Sequence, residues 1–488
     1  MNVKSIAYIL GWIMIIEAAF MLLPVATAAI YGELQGFAYL LVLVLSAAAG
    51  FALTRMKQKN MVFQTRDGFV ATALNWILMS TIGALPFVLT GEIPHFVDAL
   101  FEAVSGFTTT GSSILTDVEA LSHCSLIWRS FTHWIGGMGV LVFLLAVSTF
   151  AGSKGDSMFI MRAESSGPQV SKLVPRTMQT ARILYMIYAG MTALQAIALL
   201  ISGMPVFDAV TLSFATAGTG GFSIKNDSIM SYTAAQQWIL TVFMILFGVN
   251  FGMYYLIIMR SFKRVAKDEE LRLYLLIYFI AVALITVIVL PSMEGTAGDS
   301  LRHAFFQVAS VFSSTGYATL NYELWPQVCH ILLMMLMIIG ACAGSTGGGV
   351  KCSRFILLLR SLRVEIDRLL HPNMVRPVKM DGKAVPEDTV RLLHAYFVIY
   401  CIVAVLATLL LSLEGFSFET TVSSTITCLN NVGPGFGGVG PVENFGKFSN
   451  FGKLLLCFVM LAGRLQFFPL LILLSPRTWT KAPKQKIN

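Results

Sequence analysis

Apolar residues dominate this chain in runs of about 20, and polar residues gather in the short segments between the runs. A helix rises about 1.5 Å per residue, so such a run crosses the roughly 30 Å hydrocarbon core of a bilayer. The pattern therefore predicts a helical protein that crosses a membrane many times. We place ten spans, near residues 5–30, 36–54, 69–90, 124–150, 181–203, 235–260, 271–291, 328–359, 391–413 and 453–475.

Four further apolar segments are too short to cross a bilayer, and each leads into a loop of small, mostly polar residues. The loops are residues 108–112, 217–221, 313–317 and 430–434. Their glycines recur at intervals of 109, 96 and 117 residues, at Gly111, Gly220, Gly316 and Gly433. Because each loop has the same flanks, this recurrence predicts a four-fold internal repeat.

The loops predict a pathway for a cation. Irregular backbone at membrane depth is tolerated only where it is buried in protein or lines water. A short helix that points its partly negative C-terminal end at a common axis favours a cation, and loop carbonyls can replace the ion's hydration shell. One such loop would be an ordinary turn, but four predict a selectivity filter. The candidate ligands are Thr109, Thr110, Gly111, Gly218, Thr219, Gly220, Ser314, Thr315, Gly316, Asn431, Val432 and Gly433.

The repeat also sets the predicted domain organisation. Two N-terminal helices occupy residues 1–66, and the four repeats occupy 67–165, 166–264, 265–376 and 377–488. The predicted fold class is therefore an all-α polytopic membrane protein. Its ten transmembrane helices comprise two N-terminal helices and four pseudo-symmetric helix–pore-loop–helix repeats around one pore.

Composition and charge agree with a membrane location. The chain has 488 residues, of which 56% are hydrophobic and 12% are charged, and its net charge is +8. Lys and Arg gather in alternate loops, near 55–68, 151–180, 260–272 and 360–391 and in the C-terminal tail. Basic residues mark cytoplasmic loops, so we expect the cytoplasmic membrane, with both termini on the cytoplasmic side. Because topology accounts for the positive charge, we expect the lipid bilayer and not a nucleic acid as its partner.

Other chemistry is sparse. The seven Cys include no CxxC pair, and none of the seven His stands at metal-ligand spacing from another. We find no Ser/His, paired-Asp or metal constellation, so we expect no disulfide, no cofactor in this chain and no enzymatic activity. Glu17, in the first span, is interpreted as a structural carboxylate. Asp98 and Asp208 are expected to cap the short helices that they begin.

Two of the predicted apolar spans contain polar or charged residues that need an explanation. The eighth span is interrupted by Gly344, Ser345, Thr346, Gly347, Gly348 and Gly349. A phosphate-binding P-loop is excluded because the Gly-Lys-Ser/Thr that it needs is absent. A broken helix that lines a cavity remains, and the alternative is a close-packing kink. Arg464 lies in the last span, where a charge is costly and marks a functional candidate. It can hydrogen-bond carbonyls of the Gly-rich loop, or it is a structural partner for a carboxylate or helix end.

Several motifs together resemble one family. They are WIGGMG at 134–139, SGP at 166–168, KLVPR at 172–176, TGGFS at 219–223, ACAGSTGGGVK at 341–351, HPN at 371–373 and GRL at 463–465. With them the chain resembles the pore-forming membrane subunit of Trk-type potassium-uptake systems, in the superfamily of Ktr and HKT transporters. The resemblance covers nearly the whole length.

The resemblance carries further implications. It implies a homodimer, K⁺ as the transported ion, and a cytosolic regulatory partner with Rossmann-like domains of the RCK type that bind NAD or ATP. It implies that loop 340–351 is an intramembrane gate, and the four filter glycines match the potassium-selective pattern. Arg464 joins this predicted gate because its charge, beneath the filter, can raise a barrier to passing cations. Many relatives carry Glu two residues after this Arg, whereas this chain has Gln466.

The function that follows is gated potassium uptake through a carbonyl-lined filter, under control of a cytosolic nucleotide-binding subunit. A proton- or sodium-coupled potassium symporter on the same scaffold is the alternative. A membrane-embedded enzyme is a third class, for which the sequence offers no catalytic constellation.

Overall fold

The computed structural model describes residues 3–56, 65–139, 177–291, 296–373 and 376–479, and this part of the chain is mostly helical. The longer helices of the first half are α1 (Val3–Phe20), α2 (Leu22–Tyr31), α3 (Gly36–Thr54), α4 (Thr65–Thr90), α5 (Phe96–Phe107), α6 (His123–Gly137), α7 (Thr177–Ile201), α8 (Val206–Ala217) and α9 (Ala234–Phe247). They continue as α10 (Phe251–Ile258), α11 (Phe262–Lys267), α12 (Glu269–Val289), α13 (Ala297–Phe312), α14 (Gln327–Ile339), α15 (Cys352–Leu370), α16 (Glu387–Leu411), α17 (Phe418–Asn430), α18 (Asn450–Arg464), α19 (Phe468–Leu474) and α20 (Pro476–Trp479). A two-residue antiparallel hairpin, β1 (Lys379–Met380) and β2 (Lys383–Ala384), lies between α15 and α16.

Six stretches of the described chain are long and apolar enough to cross a membrane. They are Val3–Tyr31, Gly36–Thr54, Arg66–Thr90, Ala181–Ile201, Glu269–Val289 and Glu387–Glu414. A seventh is present if α9 and α10, which meet at 91°, count as one span. Each of these stretches corresponds to a predicted span. The predicted span 124–150 is described only in part, because its residues 140–150 lie outside the described residues.

Three of the predicted spans, 235–260, 328–359 and 453–475, are broken near the middle. The break in 328–359 is the one predicted at the Gly-rich stretch, and the other two breaks were not predicted. The breaks are the turn 248–250 between α9 and α10, the loop 340–351 between α14 and α15, and the turn 465–467 between α18 and α19. Interactions with other segments stabilise the first of these breaks. Phe251 N–H donates to Gly344 O at 3.0 Å, and the Asn250 side chain caps α10 by accepting from Gly252 N–H at 2.8 Å.

The four short helices predicted before the loops are present as α5, α8, α13 and α17. They have 12, 12, 16 and 13 residues. At 1.5 Å per residue they reach about 18–24 Å, which is less than the hydrocarbon core. Thr296 and Ser417 cap α13 and α17 with their side chains.

The capping roles predicted for Asp98 and Asp208 are wrong. Neither α5 nor α8 has a side-chain cap. Asp98 instead accepts from Lys453 Nζ at 2.5 Å, which joins α5 to α18. Asp208 accepts from the Tyr232 hydroxyl at 2.9 Å. In the folded chain, each carboxylate therefore pairs with a side chain from another segment, although its position in the sequence predicted that it would cap a helix.

Two large apolar clusters hold the short helices. One packs α4, α5 and α6 against α17 and α18 around Trp128, and the other packs α8, α9, α12, α13 and α14 around Tyr274 and Tyr278. Val432, after α17, is buried in the second cluster although α17 itself packs in the first. The loop after α17 therefore lies where the two clusters meet.

Candidate functional site

All four short helices end in the same backbone conformation. We name the loops at their C-termini L1 (108–111), L2 (218–221), L3 (313–316) and L4 (430–433). In L1, Thr109 N–H donates to Gly106 O at 3.1 Å and Thr110 N–H donates to Ser105 O at 2.9 Å. Bonds to the residues three and five positions back recur in L2, L3 and L4. The five-residue bond is that of a Schellman motif, which requires a residue in the left-handed region.

Each left-handed position holds a residue other than glycine. The φ angles are 55° at Thr109, 54° at Thr219, 61° at Ser314 and 53° at Asn431. Such a conformation costs on the order of 1–3 kcal/mol where the residue has a side chain, and it persists only where the surrounding structure imposes it. Four equivalent strained positions in one region mark it as a functional candidate.

A glycine with positive φ follows two residues later in every loop. The angles are 81° at Gly111, 78° at Gly221, 87° at Gly316 and 99° at Gly433. The sequence prediction paired Gly220 with Gly111, and this equivalence shifts by one residue. Gly220 corresponds to Thr110, and Gly221 corresponds to Gly111. L2 has two consecutive glycines, so its sequence alone does not show which of them is equivalent to Gly111. The backbone hydrogen bonds define this equivalence.

The four glycines close the loops into one ring. A Cβ atom added to any of them would collide with a backbone carbonyl oxygen of the next loop. The four approaches are Gly111 to Gly220 O (1.9 Å), Gly221 to Thr315 O (1.8 Å), Gly316 to Val432 O (2.2 Å) and Gly433 to Thr110 O (2.7 Å). L1 thus contacts L2, L2 contacts L3, L3 contacts L4, and L4 returns to L1. Every contact involves the residue just before the ring glycine of the neighbouring loop.

Side-chain hydrogen bonds add to the ring and are unequal around it. L4 is joined to the first loop by Asn431 Nδ2, which donates to Thr110 Oγ1 at 3.0 Å, and by Ser112 Oγ, which donates to Gly433 O at 3.1 Å. Within L1 the Thr108 and Thr110 hydroxyls pair at 2.7 Å, and within L3 the Ser313 and Thr315 hydroxyls do the same. All twelve predicted filter residues lie in L1 to L4.

His133, which the sequence analysis did not select, joins the end of α5, just before L1, to the residue that follows L2. Its ring is fully buried in α6, and its Nδ1 lies 2.8 Å from Gly106 O. Phe222 N–H donates to Nε2 at 3.2 Å. Because Nε2 accepts, the neutral ring carries its proton on Nδ1 and donates it to the carbonyl at the end of α5. One imidazole therefore spaces two loops of the ring.

A buried ion pair behind L1 was also missed. Arg129 of α6 lies 2.7 Å from a carboxylate oxygen of Glu102 in α5, and their side chains are 2% and 0% exposed. Glu102 also accepts from Ser113 Oγ at 2.9 Å and from Ile114 N–H at 3.1 Å, and Arg129 donates to Ser223 O at 3.2 Å. The pair thus fixes the segments that follow L1 and L2. Two opposite charges in consecutive apolar segments were the available signal.

The Gly-rich loop 340–351 lies against L3 and L4. Gly348 N–H donates to Ser314 Oγ at 2.5 Å, and Gly349 N–H donates to Asn430 O at 3.0 Å. Gly347 O accepts from Lys351 Nζ. Gly349 has a φ of 76° and packs against Gly340, whose φ is 71°, so a side chain at either position would strain the loop.

Glu270 holds both ends of this loop. It is 6% exposed, and one of its carboxylate oxygens accepts from Ala343 N–H at 2.7 Å and from Ser353 N–H at 2.8 Å. Within the loop, the Ser345 hydroxyl donates to Cys342 O at 2.6 Å. Gly344, with a φ of 74°, lies against the Asn250 side chain. The loop is therefore held by neighbouring segments from several sides.

Arg464 joins three segments, and the hydrogen bond expected between it and the Gly-rich loop is present. Its guanidinium donates to Thr346 O at 2.8 Å and to Gly136 O at 2.6 Å. Gln466 stands where many relatives were expected to carry Glu. Its amide oxygen accepts a hydrogen bond from Arg354, so this position still contacts an arginine although it has no carboxylate.

The fold and the site define a class of protein: a polytopic helical membrane protein in which the loops after four short helices form one ring, and in which further helices are broken near mid-length. The chain belongs to the TrkH family of cation transport proteins, whose family model matches residues 35–481. The Trk system potassium uptake protein TrkH of Escherichia coli K12 is 34% identical over 487 residues, which cover 98% of this chain and all of that protein. TrkG of the same strain, also named a Trk system potassium uptake protein, is 33% identical over 488 residues, which cover 98% of this chain and 99% of that protein.

A solved structure agrees with these matches. The crystal structure of the potassium transporter TrkH from Vibrio parahaemolyticus superposes with a TM-score of 0.86 at 30% identity, covering 98% of this chain and 100% of that chain. The predicted family is therefore confirmed, and its relatives are named as transport proteins and not as enzymes.

Proposed function

We propose that this chain is the pore-forming membrane subunit of a Trk-type system for potassium uptake. K⁺ crosses through the ring of L1 to L4, and loop 340–351 with Arg464 gates the path beneath it. In this proposal ten transmembrane helices form two N-terminal helices and four pseudo-symmetric repeats. Both termini lie on the cytoplasmic side of the cytoplasmic membrane.

The closed ring is the observation that carries the proposal. Each loop brings a backbone carbonyl against its neighbour, and the short helices end at the ring, so four partly negative helix ends converge on it. L1 to L4 contain no carboxylate, which leaves neutral oxygens as the ligands. Carbonyl oxygens suit a monovalent cation that must bind and leave quickly.

The electrical driving force suits uptake through such a path. A monovalent cation gains about 2.3 kcal/mol for each 100 mV of inside-negative potential. K⁺ can therefore accumulate without nucleotide hydrolysis by this chain. A cytosolic Rossmann-like subunit that binds NAD or ATP would then act on the gate, docking on the basic segments 151–180 and 360–391 of a homodimer. Most of 151–180 lies outside the described residues.

The test is K⁺ flux and reversal potential in proteoliposomes, with Gly316→Ala compared with Gly203→Ala. The two glycines have nearly equal φ angles, 87° and 86°, but a Cβ on Gly316 would lie 2.2 Å from Val432 O, while a Cβ on Gly203 meets nothing within 4 Å. We expect Gly316→Ala to lose K⁺ conductance or K⁺/Na⁺ selectivity and Gly203→Ala to keep both. Equal behaviour of two folded variants would count against the ring as the filter.

Proton- or sodium-coupled symport is the second candidate, and one observation favours it. Glu17 is 1% exposed, and neither of its carboxylate oxygens has a hydrogen-bond partner among the described residues. Such a carboxyl group can carry a proton. A pure K⁺ path follows the K⁺ equilibrium potential and ignores a pH or Na⁺ gradient, whereas a symporter shifts its reversal potential with one of them.

A further inference from the structure

An elbow of the chain, residues 250–270, leaves the membrane-crossing direction and returns to it. α9 and α10 meet at 91°, so α10 runs nearly at right angles to α9. α10 ends at Ile258, Arg260 follows with a φ of 55°, and the six-residue α11 comes next. Asp268 then caps α12 by accepting from Leu271 N–H at 2.8 Å. Because α12 is itself a membrane-span candidate, the elbow lies at a membrane surface.

The elbow combines exposed apolar and exposed basic side chains. Ile258, Met259 and Phe262 are 64%, 58% and 60% exposed. Four basic residues lie beside them, and all four are exposed: Arg260, Lys263, Arg264 and Lys267. Within the described part of the chain, no ion pair includes any of these four. Apolar side chains next to unpaired cations characterise a segment that lies in the headgroup region of an anionic bilayer.

We propose that the elbow binds the headgroups of anionic phospholipids. Its four basic side chains contact the headgroup phosphates, and its apolar side chains enter the boundary of the acyl chains. An acidic protein surface would match the charges but would leave the three apolar side chains without an apolar environment. On the predicted topology the elbow faces the cytoplasm, where the leaflet surface is negative.

Both ends of the elbow form hydrogen bonds with loop 340–351 or with a residue next to it. At the first end, Phe251 N–H donates to Gly344 O at 3.0 Å. At the other, Glu270 accepts from Ala343 N–H and from Ser353 N–H, on either side of the Gly-rich stretch. Lipid bound at the elbow therefore biases the conformation of this loop. This second step rests on the proposed function, in which the loop is the gate.

The binding step is tested without transport. Purified full-length protein in detergent is titrated with short-chain phosphatidylglycerol, short-chain phosphatidylcholine and inorganic phosphate, and bound lipid is counted by native mass spectrometry. Each basic residue near an anionic surface multiplies affinity about five-fold, so Lys263→Gln/Lys267→Gln should bind phosphatidylglycerol about 25-fold more weakly. The control is Lys379→Gln/Lys383→Gln, which removes two exposed lysines from the hairpin and should bind normally.

Three results would overturn the site: wild-type protein that prefers neither lipid, an elbow variant that binds like wild type, or inorganic phosphate that competes as well as the lipid. If the first elbow variant does not fold, Arg264→Gln/Lys267→Gln provides the same test. Loss of binding to an acidic protein partner, with lipid binding intact, would assign the elbow to that partner and also overturn the proposal.

The coupling step is tested by K⁺ flux in proteoliposomes that contain either phosphatidylcholine alone or a mixture with phosphatidylglycerol. We expect wild-type flux to change with the anionic fraction and this dependence to be lost in the elbow variant. Glu270→Gln should still bind phosphatidylglycerol but should lose the dependence, since it weakens the connection to the loop. A Glu270→Gln protein that keeps the dependence would refute the route, and wild-type protein without K⁺ flux would refute the proposed function instead.

Discussion

The guanidinium of Arg464 donates a 2.8 Å hydrogen bond to the backbone carbonyl of Thr346, which lies 118 residues earlier in the chain. A second nitrogen of the same group donates to Gly136 O at 2.6 Å. One side chain thus connects the end of α18 to the Gly-rich loop and to α6. Under the proposed function, a cation that passes the ring would meet a fixed positive group that also holds the loop.

Replacing this arginine by methionine should open the path. Arg464→Met keeps much of the volume but loses the donors and the charge. Each hydrogen bond from a charged donor contributes about 1.5–3 kcal/mol, and about 1.4 kcal/mol corresponds to a tenfold change in an equilibrium. We therefore expect K⁺ leak into proteoliposomes, without any regulatory subunit, to rise at least about tenfold.

Arg391→Met is the matched control for this leak. Arg391 also lies on a helix, but its side chain is 81% exposed, and its one ion pair among the described residues is with Asp388, one turn earlier. Its removal should leave the leak unchanged. A folded Arg464→Met protein with wild-type leak would show that Arg464 does not hold the gate.

The buried pair Glu102–Arg129 should behave as a unit. Removal of one partner leaves an uncompensated buried charge and costs about 3–5 kcal/mol. We expect Arg129→Met to lower the thermal unfolding temperature strongly, and Glu102→Gln/Arg129→Met to recover part of the loss. The measurement is thermal unfolding of purified protein in detergent.

An exposed pair provides the comparison for that experiment. Arg368 and Glu365 lie 2.7 Å apart with side chains that are 41% and 58% exposed, and such pairs contribute at most about 1 kcal/mol. Arg368→Met should therefore barely change the unfolding temperature. If the Glu102/Arg129 double variant were no more stable than Arg129→Met alone, the two groups would not be coupled as the geometry requires.

His133 should control selectivity more than stability. Its imidazole donates to Gly106 O and accepts from Phe222 N–H, so it sets the spacing of L1 and L2. His133→Phe leaves both backbone groups without this partner, and an unsatisfied buried group costs about 1–3 kcal/mol. We expect the K⁺/Na⁺ permeability ratio from reversal potentials to fall about tenfold.

The conservative variant distinguishes spacing from packing. His133→Gln retains one donor and one acceptor and should restore part of the selectivity, whereas His371→Phe, at an exposed position beyond α15, should change nothing. Equal selectivity in His133→Phe and wild type would remove this residue from the account of the ring.

Much of the site could be read from composition and spacing, because the backbone imposes it. A loop that needs positive φ and close approach selects glycine, which is why Gly111, Gly316 and Gly433 were identified. Gly221 was missed because an adjacent glycine, Gly220, fits the same pattern. The breaks in the helices were mostly missed, since apolar runs carry no record of bonds such as that from Phe251 to Gly344. Such contacts depend on tertiary packing between segments that are far apart in the sequence, and no local sequence pattern shows them.

The partners of charged residues were the least predictable part. Asp98 occupies the first turn of α5, where local electrostatics predicts a cap. Its carboxylate instead accepts a hydrogen bond from Lys453, which lies 355 residues later. The pairing of Glu102 with Arg129 likewise needs the contact between α5 and α6. An apolar run that contains a charge indicates that a partner exists, but it does not identify the partner.

Glu33, between α2 and α3, should make stability depend on pH. Its carboxylate accepts from His123 N–H at 2.7 Å and from Cys124 N–H at 3.0 Å, at the N-terminus of α6, and lies 2.8 Å from the His123 ring. Burial opposes ionisation, but the two backbone hydrogen bonds and the His123 side chain outweigh it and lower the pKa of Glu33 below its usual 4.5. The ionised carboxylate is therefore more favourable in the folded protein than in the unfolded chain.

The direction of the pH effect follows from this lowered pKa. The stabilisation is fully present above the ordinary carboxyl pKa and is lost as pH falls through the folded pKa. Glu33→Gln should lower the unfolding temperature at pH 7, by the loss of a capping contact of about 1 kcal/mol, and the deficit should shrink as pH falls below about 4.5. Unfolding temperatures measured from pH 7 to 3.5, with the exposed Glu365→Gln as control, give the comparison. A deficit that stays constant over this range would mean that the ionised form of Glu33 has no special role at α6.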